Sequence, residues 1–326
     1  MGPGDLKAML GSLAPRTDKR ILVDMNTVDD AGAVRLDADR GLLHTIDVIT
    51  PIVDDPETFG RVAAANAVSD IFAMGGQPMS AVSFLAVPKD LPPRALGPML
   101  RGAEELLYSA GAMLIGGHTV KDSELKLGFA VTGIVRSKKM TTVAGAKPKD
   151  VLVLTKPLGT GVLYQAMKNG LRTAKQTRAL VASMTTLNDV ASAAMLEARV
   201  RCATDVTGFG LAGHALNIAR ASNVDVMLDA SALPMLPGVM DYLEQGVEVG
   251  PTQVNLNGYG RQFAPAKTAP RPATRLVADP QTSGGLLMAV PARRAEALAA
   301  ELSAWIIGEV RPCRGKAPAV RMEHAL

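Results

Sequence analysis

Short apolar segments alternate with longer segments of helical periodicity from about Asp29 to about Val135. Apolar runs of about four to eight residues bounded by turn residues predict buried strands, whereas the longer stretches between them predict helices. We predict strands at 42–49, 79–87, 112–117 and 126–135. We predict helices at 57–76 and 93–111, each of which lies between two of these strands. This alternation predicts an α/β or α+β fold.

A polar segment at 136–150 contains glycine and proline and precedes a new apolar strand at 151–155. We therefore place a domain boundary near residue 145, with an N-terminal domain of residues 1–145 and a C-terminal domain of residues 146–326. The C-terminal domain is predicted to contain a long helical segment at 174–198, strands at 224–229 and 286–290, and a glycine turn leading into a helix after ATDVTGFG.

The composition limits the classes of partner and location. No apolar run approaches the roughly 18 residues that cross a bilayer, and the N-terminus lacks the order of a signal peptide. We predict a cytoplasmic protein without a membrane partner. Aromatic residues make up only 3% of the chain and the net charge is +4, so stacking platforms for bases are scarce and no nucleic-acid partner is predicted.

Cysteine and histidine do not form a recognisable site in the sequence. The two cysteines, Cys202 and Cys313, are far apart, and the four histidines have no metal-ligand spacing, so neither a disulfide framework nor a zinc site is indicated. For His214, in an apolar helical stretch, the residues favour a packing role over a catalytic one.

Aspartates recur in short motifs rich in glycine, threonine and alanine. They are Asp29 and Asp30 in TVDDAGAV, Asp47 in HTIDVITP, Asp70 in NAVSDIFAMGG and Asp205 in ATDVTGFG. A lone aspartate of this kind is most simply a helix cap or turn former. Several of them at strand ends and beside small residues predict a Mg²⁺ site around a nucleotide triphosphate, because Mg²⁺ prefers carboxylate, phosphate and water oxygens.

Three glycine-containing segments could border such a site. GGHT at 116–119 offers backbone and side-chain donors to phosphate oxygens, although the tetrapeptide alone favours a plain glycine turn between strands. DPQTSGG at 279–285 is adequately explained as a structural turn. KPLGTG at 156–161 is not a Walker sequence, because its lysine precedes the glycines. The residues alone thus predict a Mg²⁺-dependent protein that handles phosphates, without identifying the acceptor.

Taken in order, the motifs resemble the selenophosphate synthetase (selenide, water dikinase) family over nearly the whole chain. The motifs that carry the resemblance are TVDDAGAV, PIVDDPETFGR, NAVSDIFAMGGQP, GGHT, VTGIV, TKPLGTGVL, ATDVTGFGLAGH, LPGV and ADPQTSGGLL. The carboxylates alone would also fit the wider superfamily, which includes aminoimidazole ribonucleotide synthetase, thiamine-phosphate kinase and a hydrogenase maturation protein.

The resemblance implies a fold, a reaction and a set of site residues. It implies a two-domain aminoimidazole ribonucleotide synthetase-like fold and a homodimer whose N-terminal domains form a joint β-barrel. It implies that ATP, water and hydrogen selenide give selenophosphate, orthophosphate and AMP, for selenocysteine and selenouridine synthesis. The implied metal ligands are Asp30, Asp47, Asp70 and Asp205, and the implied ATP-binding residues are Thr27, Val28, Asp29, Asp47, Asp70, Gly117, His118 and Thr119.

The family's catalytic loop has no counterpart in the sequence. That loop carries a reactive cysteine or selenocysteine and then a lysine, which we expect upstream of Met1, and neither Lys7, Cys202 nor Cys313 matches it. Three explanations are open: a selenocysteine codon read as stop, a shortened polypeptide, or a homologue that binds nucleotide without selenium chemistry. On the first two, we expect the chain to bind Mg-ATP but to be inactive with selenide. Another ATP-dependent enzyme of the superfamily is the remaining alternative.

Overall fold

A computed structural model describes residues 9, 11–12, 14, 17–171, 173–265 and 270–323. Lys7, compared above with the lysine of the family's catalytic loop, lies outside the described residues. The described strands form one sheet of six strands within residues 21–136 and one of seven strands within residues 150–323.

The elements of the first half are β1 (Ile21–Val23), β2 (Gly32–Arg35), β3 (Arg40–Ile49), α1 (Pro56–Ala73), β4 (Gln77–Val87), α2 (Pro93–Ser109), β5 (Met113–Lys121) and β6 (Lys126–Arg136), followed by a 3₁₀ turn at Ser137–Lys139. The strands and helices predicted above for this half are confirmed. The first sheet has the strand order β1-β2-β3-β6-β4-β5. Its neighbouring strands are antiparallel except for β4 and β5, which are parallel and are joined through α2.

Helix α1 is the buried element at the centre of the molecule. It begins after Asp55, whose carboxylate accepts a hydrogen bond from the Thr58 N–H at 2.8 Å. It ends before the Gly75-Gly76 pair, where Gly75 takes a φ of +71° that favours glycine. Most α1 residues are buried because the helix packs against the first sheet, α2 and the edge of the second sheet.

Helices α1 and α2 touch through their backbones. A Cβ atom added to Gly102 would lie 2.1 Å from the Glu57 carbonyl oxygen, and one added to Gly60 would lie 1.8 Å from that of Met99. Only glycine permits so close an approach. The contact fixes the position of α1, which carries three polar side chains of the site described below.

Strands β3, β4 and β5 carry large apolar side chains that are exposed on the surface of the single chain. Along β3, Ile46 and Val48 alternate with residues that face helix α1, such as Thr45, which hydrogen-bonds to Asp70. Ile46 is 63% exposed and Ile115 on β5 is 68% exposed. We call this set the outer apolar surface; it comprises Ile46, Val48, Met79, Val82, Met113 and Ile115.

The second sheet has the strand order β10-β13-β9-β12-β7-β11-β8, so β8 is an edge strand. Its strands are β7 (Asp150–Leu154), β8 (Cys202–Asp205), β9 (Val224–Asp229), β10 (Phe263–Pro265), β11 (Leu286–Pro291), β12 (Trp305–Pro312) and β13 (Val320–Glu323). Its helices are α3 (Thr160–Lys168), α4 (Ala174–Thr185), α5 (Asp189–Glu197), α6 (Gly210–Ser222), α7 (Val239–Glu244), α8 (Gly250–Tyr259), α9 (Arg271–Leu276) and α10 (Ala292–Leu302), with a 3₁₀ turn at Gly260–Gln262.

The prediction of a long helical segment at 174–198 is wrong in one respect, because the segment forms two helices. Helices α4 and α5 are bent by 51° at a break before Asp189. The hydroxyls of Thr185 and Thr186 donate to carbonyl oxygens of the preceding turn, and Thr186 itself has an extended conformation. The break turns Asn188 inward, where its side chain is buried.

A shared core joins the two sheets. The same cluster of buried apolar residues includes Leu43 and Phe59 from the first half and Leu154 and Leu216 from the second. Among the described helices, none is by itself long and apolar enough to cross a membrane, and only the bent pair α4–α5 meets that test in combination. The shared core holds the edge of the second sheet against α1, where the predicted acidic residues meet.

Candidate metal and nucleotide site

Three of the predicted aspartates converge from separate parts of the chain. Asp30 precedes β2, Asp70 lies on α1 and Asp205 ends β8. One carboxylate oxygen from each lies within 4.8 Å of the others, and Asp70 and Asp205 are buried. This spacing suits a common cation, since carboxylates that share one ion lie within a few ångströms of each other.

Asp47 borders the three converging aspartates from strand β3. Its carboxylate accepts a hydrogen bond from the Asn66 side-chain amide at 2.7 Å. Burial, together with the negative charge of Asp205, raises the pKa of Asp47 to about 7. Asp47 is therefore electrostatically part of the same acidic site.

The carboxylates of the site disfavour one another's ionised forms. Burial raises the pKa of Asp30 and that of Asp70 well above the ordinary value, and the charge of Asp205 adds to both effects. Burial also raises the pKa of Asp205 to about 6, although Ser69 and Lys156 oppose the increase. A site with this much uncompensated acid attracts divalent cations.

A buried lysine lies behind the acidic residues. Lys156, in KPLGTG, donates to the backbone carbonyls of Thr186 at 2.6 Å and Ser283 at 2.9 Å. Burial lowers its pKa to about 7, while the charge of Asp205 favours its protonated form. The sequence analysis did not assign this lysine, although a lysine directly after an apolar strand was a usable signal.

Each of the four carboxylates accepts a hydrogen bond from a neutral side chain. Such bonds fix the plane of a carboxylate and leave its other oxygen free to face a ligand. The donor–acceptor pairs are Thr204–Asp30 (2.6 Å), Asn66–Asp47 (2.7 Å), Thr45–Asp70 and Ser69–Asp205 (2.5 Å). These donors are the residues that sequence reasoning missed as a group.

The amide side chains at the site have defined orientations. The Ser283 backbone N–H donates to Asn66 Oδ1 at 2.8 Å, so the Asn66 amide nitrogen is turned toward Asp47. Asn188 Nδ2 donates to Ser69 Oγ at 2.9 Å, so the Ser69 hydroxyl proton is directed to Asp205. Backbone and side chains of the second half thereby orient carboxylates of both halves.

The DPQTSGG segment acts as a structural turn, as the sequence indicated. Gln281 Oε1 accepts hydrogen bonds from the N–H groups of Gly159 at 2.9 Å and Thr160 at 3.2 Å, which caps helix α3. Asp279 accepts from the next N–H group, that of Gly161, at 3.2 Å. The turn also supplies the Ser283 contacts to Asn66 and Lys156, so it supports the site without adding a carboxylate to it.

The predicted nucleotide-binding segment at 27–29 lies beside Asp30. The Asp29 carboxylate accepts a hydrogen bond from the Val143 N–H at 2.6 Å and is thereby tied to the segment that joins β6 to β7. The Thr27 hydroxyl donates to the Asp24 carbonyl at 2.9 Å. Val28 has a φ of 54°, a left-handed conformation that costs energy for a β-branched residue and that often accompanies function.

Within one chain, the second predicted nucleotide-binding segment lies away from the carboxylates. Gly117, His118 and Thr119 lie on the edge strand β5 and are exposed. Asp47 on β3 pairs with a residue of β6, which pairs with a residue of β4, which in turn pairs with Gly117 on β5. Asp47 and Gly117 are therefore three strand spacings, or about 14 Å, apart. A ligand of nucleotide size would be needed to contact both.

The donor set decides which ion the site fits. It offers carboxylate oxygens, which hard divalent cations such as Mg²⁺ prefer over softer metals. The cysteines are not part of it: burial raises the pKa of Cys202 to about 12, and its thiol donates to the Val143 carbonyl. The residues thus fit Mg²⁺ better than zinc or an iron centre.

Comparison with known proteins identifies the family. Residues 28–135 match the AIR synthase related protein, N-terminal domain, and residues 147–320 match the corresponding C-terminal domain. The chain is 42% identical over 303 residues to the selenide, water dikinase of Porphyromonas gingivalis, covering 93% of this chain and 86% of that protein. The chain belongs to the selenide, water dikinase family.

Further members of this dikinase family agree with the assignment. The selenide, water dikinase of Myxococcus xanthus is 41% identical, covering 94% of this chain and 89% of that protein. That of Nitratidesulfovibrio vulgaris, strain DP4, is 40% identical, covering 95% and 91%.

Solved structures show the same fold at low sequence identity. AaThiL complexed with AMPPCP and TMP has a TM-score of 0.72 at 20% identity, covering 98% of this chain and 93% of that one. The hydrogenase maturation protein HypE in complex with ATP has a TM-score of 0.69 at 20% identity, covering 99% and 92%. The two-domain AIR synthase-like fold inferred from the motifs is therefore confirmed.

Proposed function

We propose that the protein uses ATP to make selenophosphate from hydrogen selenide, with release of AMP and orthophosphate, for selenocysteine and selenouridine synthesis. The observation that carries this proposal is the convergence of three carboxylates from three motifs to within 4.8 Å, in a chain 42% identical to a selenide, water dikinase. The site offers buried anionic oxygens and oriented neutral donors, which suit a polyphosphate held through cations.

We assign the cation site to the four carboxylates, with Asp30, Asp47, Asp70 and Asp205 as ligands of Mg²⁺. When bound, Mg²⁺ would neutralise charge on the nucleotide phosphates. The chain's own contribution is orientation and burial: the donors on Thr204, Asn66, Thr45 and Ser69 hold the carboxylate planes before any ligand arrives.

The nucleotide contacts are assigned to two segments and a second copy of the chain. Thr27, Val28 and Asp29 adjoin the cation site, and Gly117, His118 and Thr119 lie at the edge of the first sheet. The outer apolar surface, with Ile115 68% exposed, is suited to burial in a homodimer whose N-terminal domains form a joint β-barrel. In that arrangement the nucleotide would bind near the dimer cleft.

Two further expectations stay predictions. They are the division into domains of residues 1–145 and 146–326 and the cytoplasmic location.

The first test is nucleotide binding by titration calorimetry, using a non-hydrolysable ATP analogue in a Mg²⁺ series. We expect Asp70→Asn to weaken Mg²⁺-dependent binding at least about tenfold, because it removes a charged ligand. Asp241→Asn, which changes an exposed aspartate on α7, is the matched control and should bind normally. Equal affinity of Asp70→Asn and the unsubstituted chain at every Mg²⁺ concentration would refute the assigned site.

The second test identifies the products under anaerobic conditions. Selenide-dependent formation of AMP and orthophosphate, by this chain or by the chain with the family's cysteine- and lysine-containing loop fused to its N-terminus, supports the proposed reaction. Formation of ADP on addition of thiamine monophosphate, without a response to selenide, would instead support another enzyme of the superfamily. Binding without turnover, even when the family's cysteine- and lysine-containing loop is fused to the N-terminus, would support a nucleotide-binding homologue.

A further inference from the structure

The His214 side chain is held in one tautomer by the backbone. It is 6% exposed on helix α6, and its Nε2 accepts a hydrogen bond from the Thr207 N–H at 3.1 Å. A backbone N–H can only donate, so Nε2 carries the lone pair and the neutral ring carries its proton on Nδ1. Burial lowers the pKa of His214 to about 4, in agreement with a neutral ring.

The protonated Nδ1 faces a hydroxyl that reaches the acidic site. Nδ1 lies 3.3 Å from Thr204 Oγ1, and the Thr204 hydroxyl lies 2.6 Å from Asp30 Oδ1. With the Nδ1–H donating to Oγ1, the hydroxyl proton is free to be donated onward. The Asp205 carbonyl, at 3.0 Å, is a competing acceptor, but the Asp30 oxygen is closer.

The result is a directed chain of donors from the backbone of one half to a carboxylate of the other. It runs from the Thr207 N–H to the His214 ring, to the fully buried Thr204 hydroxyl, and to Asp30. Successive hydrogen bonds of this kind polarise one another, so donation by His214 strengthens the bond from Thr204 to Asp30. A ring that only filled space would not need this alignment of both nitrogens.

We propose that His214 is a positioning residue for the cation site, which sets the orientation of the Asp30 carboxylate through Thr204. The inference rests on the proposed function only in taking Asp30 as a cation ligand. His214 does not touch the cation or the nucleotide; it acts at one remove, as donors behind metal ligands do. The residue that the sequence favoured as core packing thus has a second role.

Two substitutions separate orientation from packing. In His214→Asn the side-chain amide nitrogen takes the place of Nδ1 and keeps a donor toward Thr204. In His214→Gln the amide oxygen takes the place of Nε2 and keeps an acceptor for the Thr207 N–H but loses the donor. Both variants remove the ring and its tilted contact with Phe209, so they share the loss of packing.

The readout is binding of Mn²⁺ alone, by electron paramagnetic resonance, without nucleotide or selenide. We expect His214→Gln to weaken Mn²⁺ binding about tenfold and His214→Asn to stay within about threefold of the unsubstituted chain. Thermal unfolding in EDTA should be lowered similarly in both. Equal Mn²⁺ affinities in the two variants would show that His214 acts through packing alone and would overturn the proposal.

Thr204 provides an independent arm that does not depend on the ring. Thr204→Ser keeps the hydroxyl and should bind Mn²⁺ normally, whereas Thr204→Val should lose about as much affinity as His214→Gln. In the Thr204→Val background, His214→Gln should cause no further loss, because both act through one chain. A full additional loss would contradict the relay.

Failure of this inference and failure of the proposed function have different signatures. Absence of selenide-dependent AMP formation leaves the Mn²⁺ comparison intact. Absence of Mn²⁺ binding by the unsubstituted chain would overturn the cation site and the positioning role together.

Discussion

Replacing Asp47 by asparagine should make the cation-free protein more stable at pH 8. The replacement keeps an oxygen that accepts the Asn66 hydrogen bond but removes a charge from the acidic site. Asp47 has its folded-state pKa raised from 3.8 to about 7, chiefly by burial. Wild-type stability should therefore fall as the pH rises between these two values, because the unfolded chain ionises first. The Asp47→Asn variant lacks that loss.

The magnitude follows from the shift in the pKa of Asp47. A difference of about 3 pKa units corresponds to about 4 kcal/mol at 1.4 kcal/mol per unit. Asp47 is only partly buried, so water screens part of this, and we expect a gain of about 2 kcal/mol at pH 8. At pH 5, where most of the wild-type carboxyl stays protonated in the folded state, the gain should be less than half as large.

Urea denaturation in EDTA at pH 5 and pH 8 measures the effect, with Asp241→Asn as the control. Adding Mg²⁺ and an ATP analogue at about 100 times the dissociation constant should stabilise the wild type by about 2.7 kcal/mol and the variant by much less. The order of stability should then reverse. A variant that is no more stable than wild type at pH 8 without cations would refute the electrostatic account of the site.

Three further outcomes are expected. Gly102→Ala should lower the free energy of unfolding by about 1–3 kcal/mol in urea denaturation, because its Cβ would lie 2.1 Å from the Glu57 carbonyl; an unchanged midpoint would contradict that contact. Mg²⁺ affinity should rise from pH 5.5 to pH 8, because Mg²⁺ must displace protons from carboxyl groups whose pKa values are raised. Calorimetry in two buffers of different ionisation enthalpy measures the number of protons released. Native protein at pH 8 should be alkylated by iodoacetamide at Cys313 but not at the buried Cys202, as peptide mass spectrometry would show.

The sequence predicted strands β3 to β6 and helices α1 and α2 because their signals are local, whereas the short strands β1 and β2 were not predicted. The apolar runs and the helical periodicity that predict these elements each lie within the element that they define. The motif contexts also identified Asp30, Asp70 and Asp205, which the structure brings together. Each lies beside small residues or at a strand end, which is again a local property.

What the sequence could not predict depends on contacts between distant segments. The break before Asp189 arises where Asn188 turns inward to reach Ser69 and the Gly284 carbonyl. The burial of Lys156 depends on carbonyls at 186 and 283. The sequence within 174–198 or 156–161 does not indicate those partners. Helical periodicity therefore predicted one helix where the structure has two, and the lysine received no role.

In three of the four acidic motifs a hydroxyl donates to a carboxylate of a different motif. Thr45, two residues before Asp47, donates to Asp70; Ser69, next to Asp70, donates to Asp205; Thr204, next to Asp205, donates to Asp30. No motif is therefore complete alone, because its own aspartate is oriented from elsewhere. Packing in the core that joins the two sheets offsets the cost of gathering so many buried carboxylates, and on the proposed function the binding of cations would relieve it. Orientation of the carboxylates is thus a property of the folded junction, and loss of one hydroxyl should disturb the neighbouring motif before its own.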